Sequence, residues 1–239
     1  MLLFYVRHGH PTYNPDCLTE AGFKEAEALV CRMKRIKPDK IFASTSTRAI
    51  QTAEPTAKYL GKEITLLDWC NEGHAWKDFH VSVEKEDGET LHTWCFGYRP
   101  IRELFASKEM RDLGEKWYTH PAVEKYNFGK GVNRVQNETY AFLEELGYRH
   151  TENGYEAIRP NNDRIALFAH QGFGMAFLSA VLDIPYNQIA SHFDMTFTGI
   201  TVFEFSGEGK VIPRMLQLSN DSHLFASDME TIYNNGHSF

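Results

Sequence analysis

The chain has 239 residues, enough for one α/β domain with a large core. Hydrophobic residues at 42% and charged residues at 24% exclude a largely disordered chain, and 17 Gly and 9 Pro exclude a collagen-like or low-complexity one. The net charge of −7 argues against a nucleic-acid partner, which recruits a basic face, yet leaves room for a local cationic pocket.

Leu2 to Val6 is apolar throughout and predicts a short strand buried on both faces. A polar loop with Gly9, Pro11, Asn14 and Pro15 follows. Thr19 is placed to cap a helix, with Glu20 in its first turn, and Phe23, Ala26, Leu29, Val30 and Met33 recur at helical spacing over 20–36. Pro38 ends that helix. Lys40 to Ala43 predicts a second strand. Ser46 or Thr47 caps a second helix through Leu60, and Gly61 stops it. Glu63 to Leu67 predicts a third strand. This βαβαβ alternation predicts a mostly parallel sheet with helices on its faces.

Residues 73–130 lose the regularity. Aromatic residues, among them Trp76, Phe79, Trp94, Phe96 and Tyr98, alternate with charges, and 101–118 and 133–147 predict helices. Arg164 to Ala169 predicts a strand, followed from Gly172 to about Leu182 by a helix. Residues 200–205 and 211–218 predict the last two strands, joined by a glycine-containing turn at 206–210. With no repeat and no linker, 1–239 is expected to form one domain, with 73–150 as a cap or lid insertion over the sheet.

Cys17, Cys31, Cys70 and Cys95 form no CxxC pair and predict reduced thiols. The apolar start ends at Arg7, too soon for a secretion signal, and no apolar run reaches the ~20 residues of a membrane span. A soluble, cytoplasmic protein with no membrane partner is expected.

In open α/β sheets ligands bind beyond the carboxyl ends of the strands. Arg7, His8, Gly9 and His10 follow the first predicted strand. Ser44, Ser46 and Arg48 follow the second, Glu72 the third, and His170 and Gln171 a later one. Two arginines, several histidines and a glutamate thus share one predicted edge. No CxxxxxR nucleophile motif, HExxH, Walker A loop or strand-linked GxGxxG competes for the chemistry.

Arg7-His8-Gly9, Ser44-x-x-x-Arg48-Ala49-x-x-Thr52-Ala53, Glu72 and Ala169-His170, in that order and each after a strand, resemble the histidine phosphatase superfamily, which includes the cofactor-dependent phosphoglycerate mutases. Leu18-Thr19-Glu20-Ala21-Gly22 and Asn220-Asp221-x-His223-Leu224 are similar to further patterns in it. The resemblance covers about 2–72 and 163–225. It implies a three-layer α/β/α sandwich with a mostly parallel, about six-stranded sheet and a helical cap insertion.

It also implies that His8 is a nucleophile forming a phosphohistidine, with Arg7, Asn14, Arg48 and His170 holding phosphoryl oxygens and Glu72 protonating the leaving group. The chemistry is coherent: histidine can split one phosphoryl displacement into two, planar guanidinium forks suit phosphoryl oxygens, and a carboxyl can act as acid and then base. No metal and no other cofactor is then required. Glu84, Glu86 and Glu89 are nearby rivals to Glu72, and His10 is a secondary candidate. Gln171 stands where relatives usually have Gly, and either adds an amide donor to the pocket or points away.

Three functions remain open. A metal-independent phosphomonoester hydrolase acting on a small phosphorylated metabolite is favoured. A phosphoglycerate mutase-type isomerase is disfavoured by the short stretch from Asn14 to Leu18 and by the absence of an Arg/Tyr/Lys-rich run after Glu72. A non-catalytic phospholigand binder would be expected to lose His8 or Glu72. Trp76, Trp94, Tyr98, Arg99 and Arg102 are candidates for a lid that selects the leaving group.

Overall fold

The computed structural model describes residues 1–233 and 237–238. From the N-terminus run β1 (Leu2–Arg7), the short hairpin β2 (Pro11–Tyr13) and β3 (Asp16–Leu18), α1 (Glu20–Ile36), β4 (Lys40–Ser44), α2 (Thr47–Leu60) and β5 (Ile64–Leu67). The middle holds α3 (Glu72–Phe79), the hairpin β6 (His80–Glu84) and β7 (Thr90–Trp94), α4 (Arg99–Phe105), α5 (Lys108–Leu113) and α6 (Phe128–Glu145). Next come β8 (Tyr148–Thr151), β9 (Gly154–Ala157), β10 (Arg164–Ala169), α7 (Gln171–Leu182) and α8 (Tyr186–His192). The last elements are β11 (Ile200–Glu204), β12 (Gly209–Val211), β13 (Arg214–Asn220) and α9 (Ser222–Phe225).

The chain divides into two units, one of residues 1–71, 143–171 and 194–239, the other of 72–142 and 172–193. The first unit is built on a six-stranded sheet in the order β13-β11-β1-β10-β4-β5. Only β11 runs against its neighbours, so the sheet is mostly parallel, as expected. Alternate residues Phe4, Val6, Ile41, Ala43, Ala166, Phe168, Ile200 and Val202 pack with Leu29 and Met33 of α1 and Ala53 and Ala57 of α2. Period-2 strand positions thus meet helix positions one turn apart. Leu3, Tyr5, Ile165 and Leu167, on the opposite face, are also wholly buried, which explains strand runs with no polar alternation. Thr19 caps α1 by accepting the Gly22 N–H, and Gly61 ends α2 in a left-handed conformation, both as expected.

Several expectations are corrected. The polar loop after β1 is the hairpin of β2 and β3. The stretch 101–118 is not one helix: Ser107 caps α5 by accepting the Met110 N–H, and a 3-10 segment follows α5. The helix expected at 133–147 begins earlier, at Phe128. The expected strand 211–218 is two strands, because Pro213 has no N–H to continue a ladder. Val211 belongs to β12, which pairs with β9 in a separate three-stranded sheet, whereas β13 begins at Arg214 and pairs with β11.

The second unit is organised by aromatic packing. Phe79, Phe105, Trp117, Phe128 and Tyr186 are buried against one another, with ring centroids 4.4 Å apart for Phe79 and Tyr186 and 5.0 Å for Phe105 and Trp117. No helix of the described residues is long and apolar enough to cross a membrane.

Candidate active site

The register of β1 on β10 pairs Arg7 with Ala169, so His8 and His170 leave adjacent strands at one edge. Their rings lie 5.2 Å apart between centroids. The backbone holds His8 on two sides: its N–H donates to Ala169 O at 2.9 Å, and its carbonyl accepts the Thr198 N–H at 3.3 Å. Thr198 adopts a left-handed φ of 55°, costly for a β-branched residue, and its hydroxyl meets His223 Nε2 at 2.8 Å. His223, from the late Asn220-Asp221-x-His223 pattern, therefore supports the residue that grips His8.

The His8 ring is fixed by its own loop. Nδ1 lies 2.7 Å from Gly9 O. A carbonyl only accepts, so Nδ1 carries the proton and Nε2 keeps its lone pair. Burial first, and then the charges of Arg7 and Arg48, holds the His8 pKa well below the usual histidine value. His8 is therefore neutral at pH 7. His170 is likewise buried and depressed, by burial first and then by His8 and the two arginines. Its Nε2 meets Ser44 Oγ at 2.8 Å, and Tyr5 clamps its backbone by donating to His170 O at 2.5 Å.

The cations belong to the same edge. The Arg7 guanidinium lies 3.9 Å from the centre of the Phe197 ring, and Nη1 donates to Met195 O. Arg48, in the first turn of α2, pairs with Asp16 of β3 at 2.6 Å. Asp16 also accepts the Thr47 N–H at 2.9 Å, so it does the capping expected of Ser46 or Thr47; Ser46, at the cap position, makes no side-chain cap bond. Arg48 Nε and His170 Nδ1 are buried with no hydrogen-bond partner among the described residues. A desolvated guanidinium donor beside neutral imidazoles forms a site suited to an oxyanion.

Asn14 is exposed at the tip of the β2–β3 hairpin. His10 has structural partners: its Nδ1 lies 2.9 Å from Thr19 Oγ1 and its ring meets Phe197 edge-on. Gln171 Nε2 donates to Asp194 Oδ1 at 2.7 Å. In the second unit, Glu72 opens α3 and accepts the Gly172 N–H at 2.9 Å and the Phe173 N–H at 2.8 Å, so it caps the start of α7. Its rivals Glu84, Glu86 and Glu89 are exposed along the β6–β7 hairpin. Trp76 stacks on His80 and meets Trp94 edge-on at 5.0 Å, Tyr98 precedes α4, and exposed Arg99 pairs with Glu103.

Residues 3–103 match the model of the histidine phosphatase superfamily, branch 1. The resemblance seen in the motifs is thereby borne out over the stretch holding His8, Arg48 and Glu72, while His170 lies outside it. Solved structures share the fold. A histidine-to-alanine variant of phosphoserine phosphatase from Entamoeba histolytica, in complex with phosphoserine, is 19% identical with a TM-score of 0.59; the alignment covers 93% of this chain and 98% of that one. Mycobacterial glucosyl-3-phosphoglycerate phosphatase is 15% identical with a TM-score of 0.57, covering 92% and 98%. No curated protein matches the chain.

Sequence reasoning missed Asp16, Glu25 and Thr198, and named Thr52 only as part of the second motif. Thr52 Oγ1 accepts the Gly9 N–H at 3.0 Å and donates to Arg48 O, tying the first motif to the second. Glu25 left a signal: a carboxylate on the apolar face of α1, one position before Ala26 and four before Leu29. Asp16 and Thr198 left none, because their partners are distant in sequence.

Proposed function

We propose that the protein is a metal-independent phosphomonoester hydrolase that works through a phosphohistidine on His8. The observation that carries this reading is the neutral, buried His8 with Nδ1 locked on Gly9 O and Nε2 unprotonated beside two arginines. In the first step the Nε2 lone pair attacks phosphorus and the P–O bond breaks, its electrons leaving with the alkoxide. Glu72 donates the proton that makes the alcohol. In the second step Glu72 takes a proton from water, the water oxygen attacks phosphorus, and the P–N bond breaks to restore neutral His8.

Arg7, Arg48, His170 and Asn14 hold the phosphoryl oxygens. His170 Nε2 meets Ser44 Oγ, and its buried Nδ1 has no partner among the described residues. Two backbone N–H bonds fix the position of the Glu72 carboxyl. The phosphoserine and 3-phosphoglyceric acid bound in the Entamoeba histolytica phosphoserine phosphatase structures support a small metabolite as substrate. Trp76, Trp94, Tyr98 and Arg99 select the leaving group, with His10 and Gln171 as secondary site residues. The four cysteines are free, which suits a reducing cytoplasm.

The test is hydrolysis of p-nitrophenyl phosphate in EDTA, with acid–base stability of the labelled enzyme as a second readout. Turnover with an acid-labile, base-stable phosphoenzyme, both lost in His8→Ala, is expected. Metal dependence, or turnover that survives His8→Ala, removes the reading. Alanine variants of Trp76 and Trp94 should change relative rates across a phosphoester panel; unchanged ratios would remove the lid.

A further inference from the structure

One peptide unit joins the His8 imidazole to a buried carboxyl. The carbonyl of the Gly9–His10 peptide accepts from His8 Nδ1 at 2.7 Å, and its N–H, on His10, donates to Glu25 Oε2, also at 2.7 Å. Glu25 is 2% exposed, in the second turn of α1. The loop cannot drift from the helix. A Cβ on Gly22 would stand 2.2 Å from His10 O, and one on Gly9 would stand 2.7 Å from Gly22 O. Glycine at both positions is what allows this approach. A buried carboxyl is expensive to keep, so a purely space-filling role would favour an apolar residue. An amide transmits charge: an anion at its N–H draws the hydrogen and enriches the carbonyl oxygen in electron density, and successive hydrogen bonds strengthen one another.

We propose that Glu25 is a positioning residue for His8, acting through the Gly9–His10 peptide to strengthen the bond on Nδ1 and raise the nucleophilicity of Nε2. This inference rests on the phosphohistidine reading. The logic is that of a carboxylate behind a catalytic histidine, with a peptide unit inserted between them. Only the ionised carboxyl polarises the peptide fully. Burial pushes Glu25 up to about 7, opposed by the His10 N–H and the Arg7 charge. Arg7 at the end of β1 is the charged group acting on it, with His8 and His10 flanking the peptide and Thr19 and Gly22 beside it on α1. His8 itself titrates well below 6.5, so a limb near neutrality is not its own.

The test compares wild type with Glu25→Gln, which keeps an acceptor for the His10 N–H and removes the charge. Phosphoenzyme formation is followed in single turnovers with p-nitrophenyl phosphate from pH 5 to 9. The wild-type rate should rise through a group near 7. Glu25→Gln should lack that limb and run about tenfold below the wild-type plateau, in the range that loss of a ligand's outer partner brings. Matching profiles with plateau rates within twofold would overturn the proposal. The imidazole 15N shifts of His8 in the free wild-type enzyme give a second readout, independent of turnover and of the variant's folding. They should move as Glu25 titrates near 7, and shifts flat from pH 6 to 8 would also overturn it. If wild type forms no phosphoenzyme, the parent reading fails, and the 15N titration alone decides the coupling.

Discussion

The first unit places its proposed site residues on backbone leaving strand ends, and the second places its own at a helix start and in aromatic rings. In the first, one ladder from Leu2 and Arg164 to Arg7 and Ala169 fixes where His8 and His170 emerge, and a slip of one residue would invert every side chain. In the second, Glu72 is fixed by two N–H groups about 100 residues away in sequence. The sheet edge is thus set by a ladder of paired residues, whereas Glu72 is held at the start of one helix. Substitution at the sheet edge should therefore remove reactivity and spare the fold, while substitution in the second unit should disturb both.

The largest expected effect is at His8. His8→Ala should lower p-nitrophenyl phosphate turnover by more than about 10³-fold, since loss of a nucleophile leaves only binding and electrostatics. Circular dichroism should remain that of the folded chain. If the variant unfolded, the sheet edge would be no more tolerant than the second unit and the comparison would break.

Next in size is Gly172→Ala. The new Cβ would lie 2.3 to 2.7 Å from three carbons of the Trp94 ring, and the Gly172 N–H is one of the two that hold Glu72. Either the indole or the start of α7 must move. A cost of about 1–3 kcal/mol is expected from overpacking, with kcat down about 10- to 100-fold as the carboxyl loses its seat. Trp94→Ala in the same chain should restore much of both, because it removes the clash. Additive losses in a double-mutant cycle would show that Trp94 is not the obstacle.

The same contrast explains what the sequence reveals. Leu2 to Val6, Lys40 to Ala43 and Arg164 to Ala169 announce buried strands by apolar runs, and the topology then places Arg7, His8, Arg48 and His170 together. The split at Pro213 was visible in principle, because proline cannot donate to a ladder. The 101–118 stretch was not, since the break between α4 and α5 is made by the Ser107 cap, a single serine inside a helical-looking run. Asp16 as the cap of α2 and Thr198 as the grip on His8 depend on contacts more than 30 residues away, which no local pattern encodes.

The sheet edge should also show in the pH dependence of stability. His8 and His170 titrate well below the usual histidine value, and burial brings His223 down to about 4. The unfolded chain takes up these protons below about 6.5 and the folded chain refuses them, so their burial costs stability as pH falls below 6.5. Glu25 acts in the opposite sense, keeping a proton up to about 7 that the unfolded chain releases near 4.5. Three imidazoles against one carboxyl leave up to about two protons, or at most about 2.7 kcal/mol per pH unit between 6.5 and 5. The Tm should therefore fall on acidification across that window, and a Tm that rises would mean the imidazoles are not buried neutral.

The smallest effect is expected at Asp16. Asp16→Asn keeps an oxygen for the Thr47 N–H and removes the charge facing Arg48. Asp16 is about a third exposed in its side chain, so the ion pair should be worth no more than about 1 kcal/mol of stability. Two outcomes in KM separate two roles. If Asp16 orients Arg48 toward the phosphoryl oxygens, the variant should raise KM about three- to tenfold with kcat within twofold, because a guanidinium loses its geometry and not its charge. If Asp16 instead competes with substrate for Arg48, the variant should lower KM, because the rival anion is gone. The 2.6 Å contact from Nη1, with buried Nε lacking a partner among the described residues, favours orientation: the carboxylate occupies only one corner of the fork.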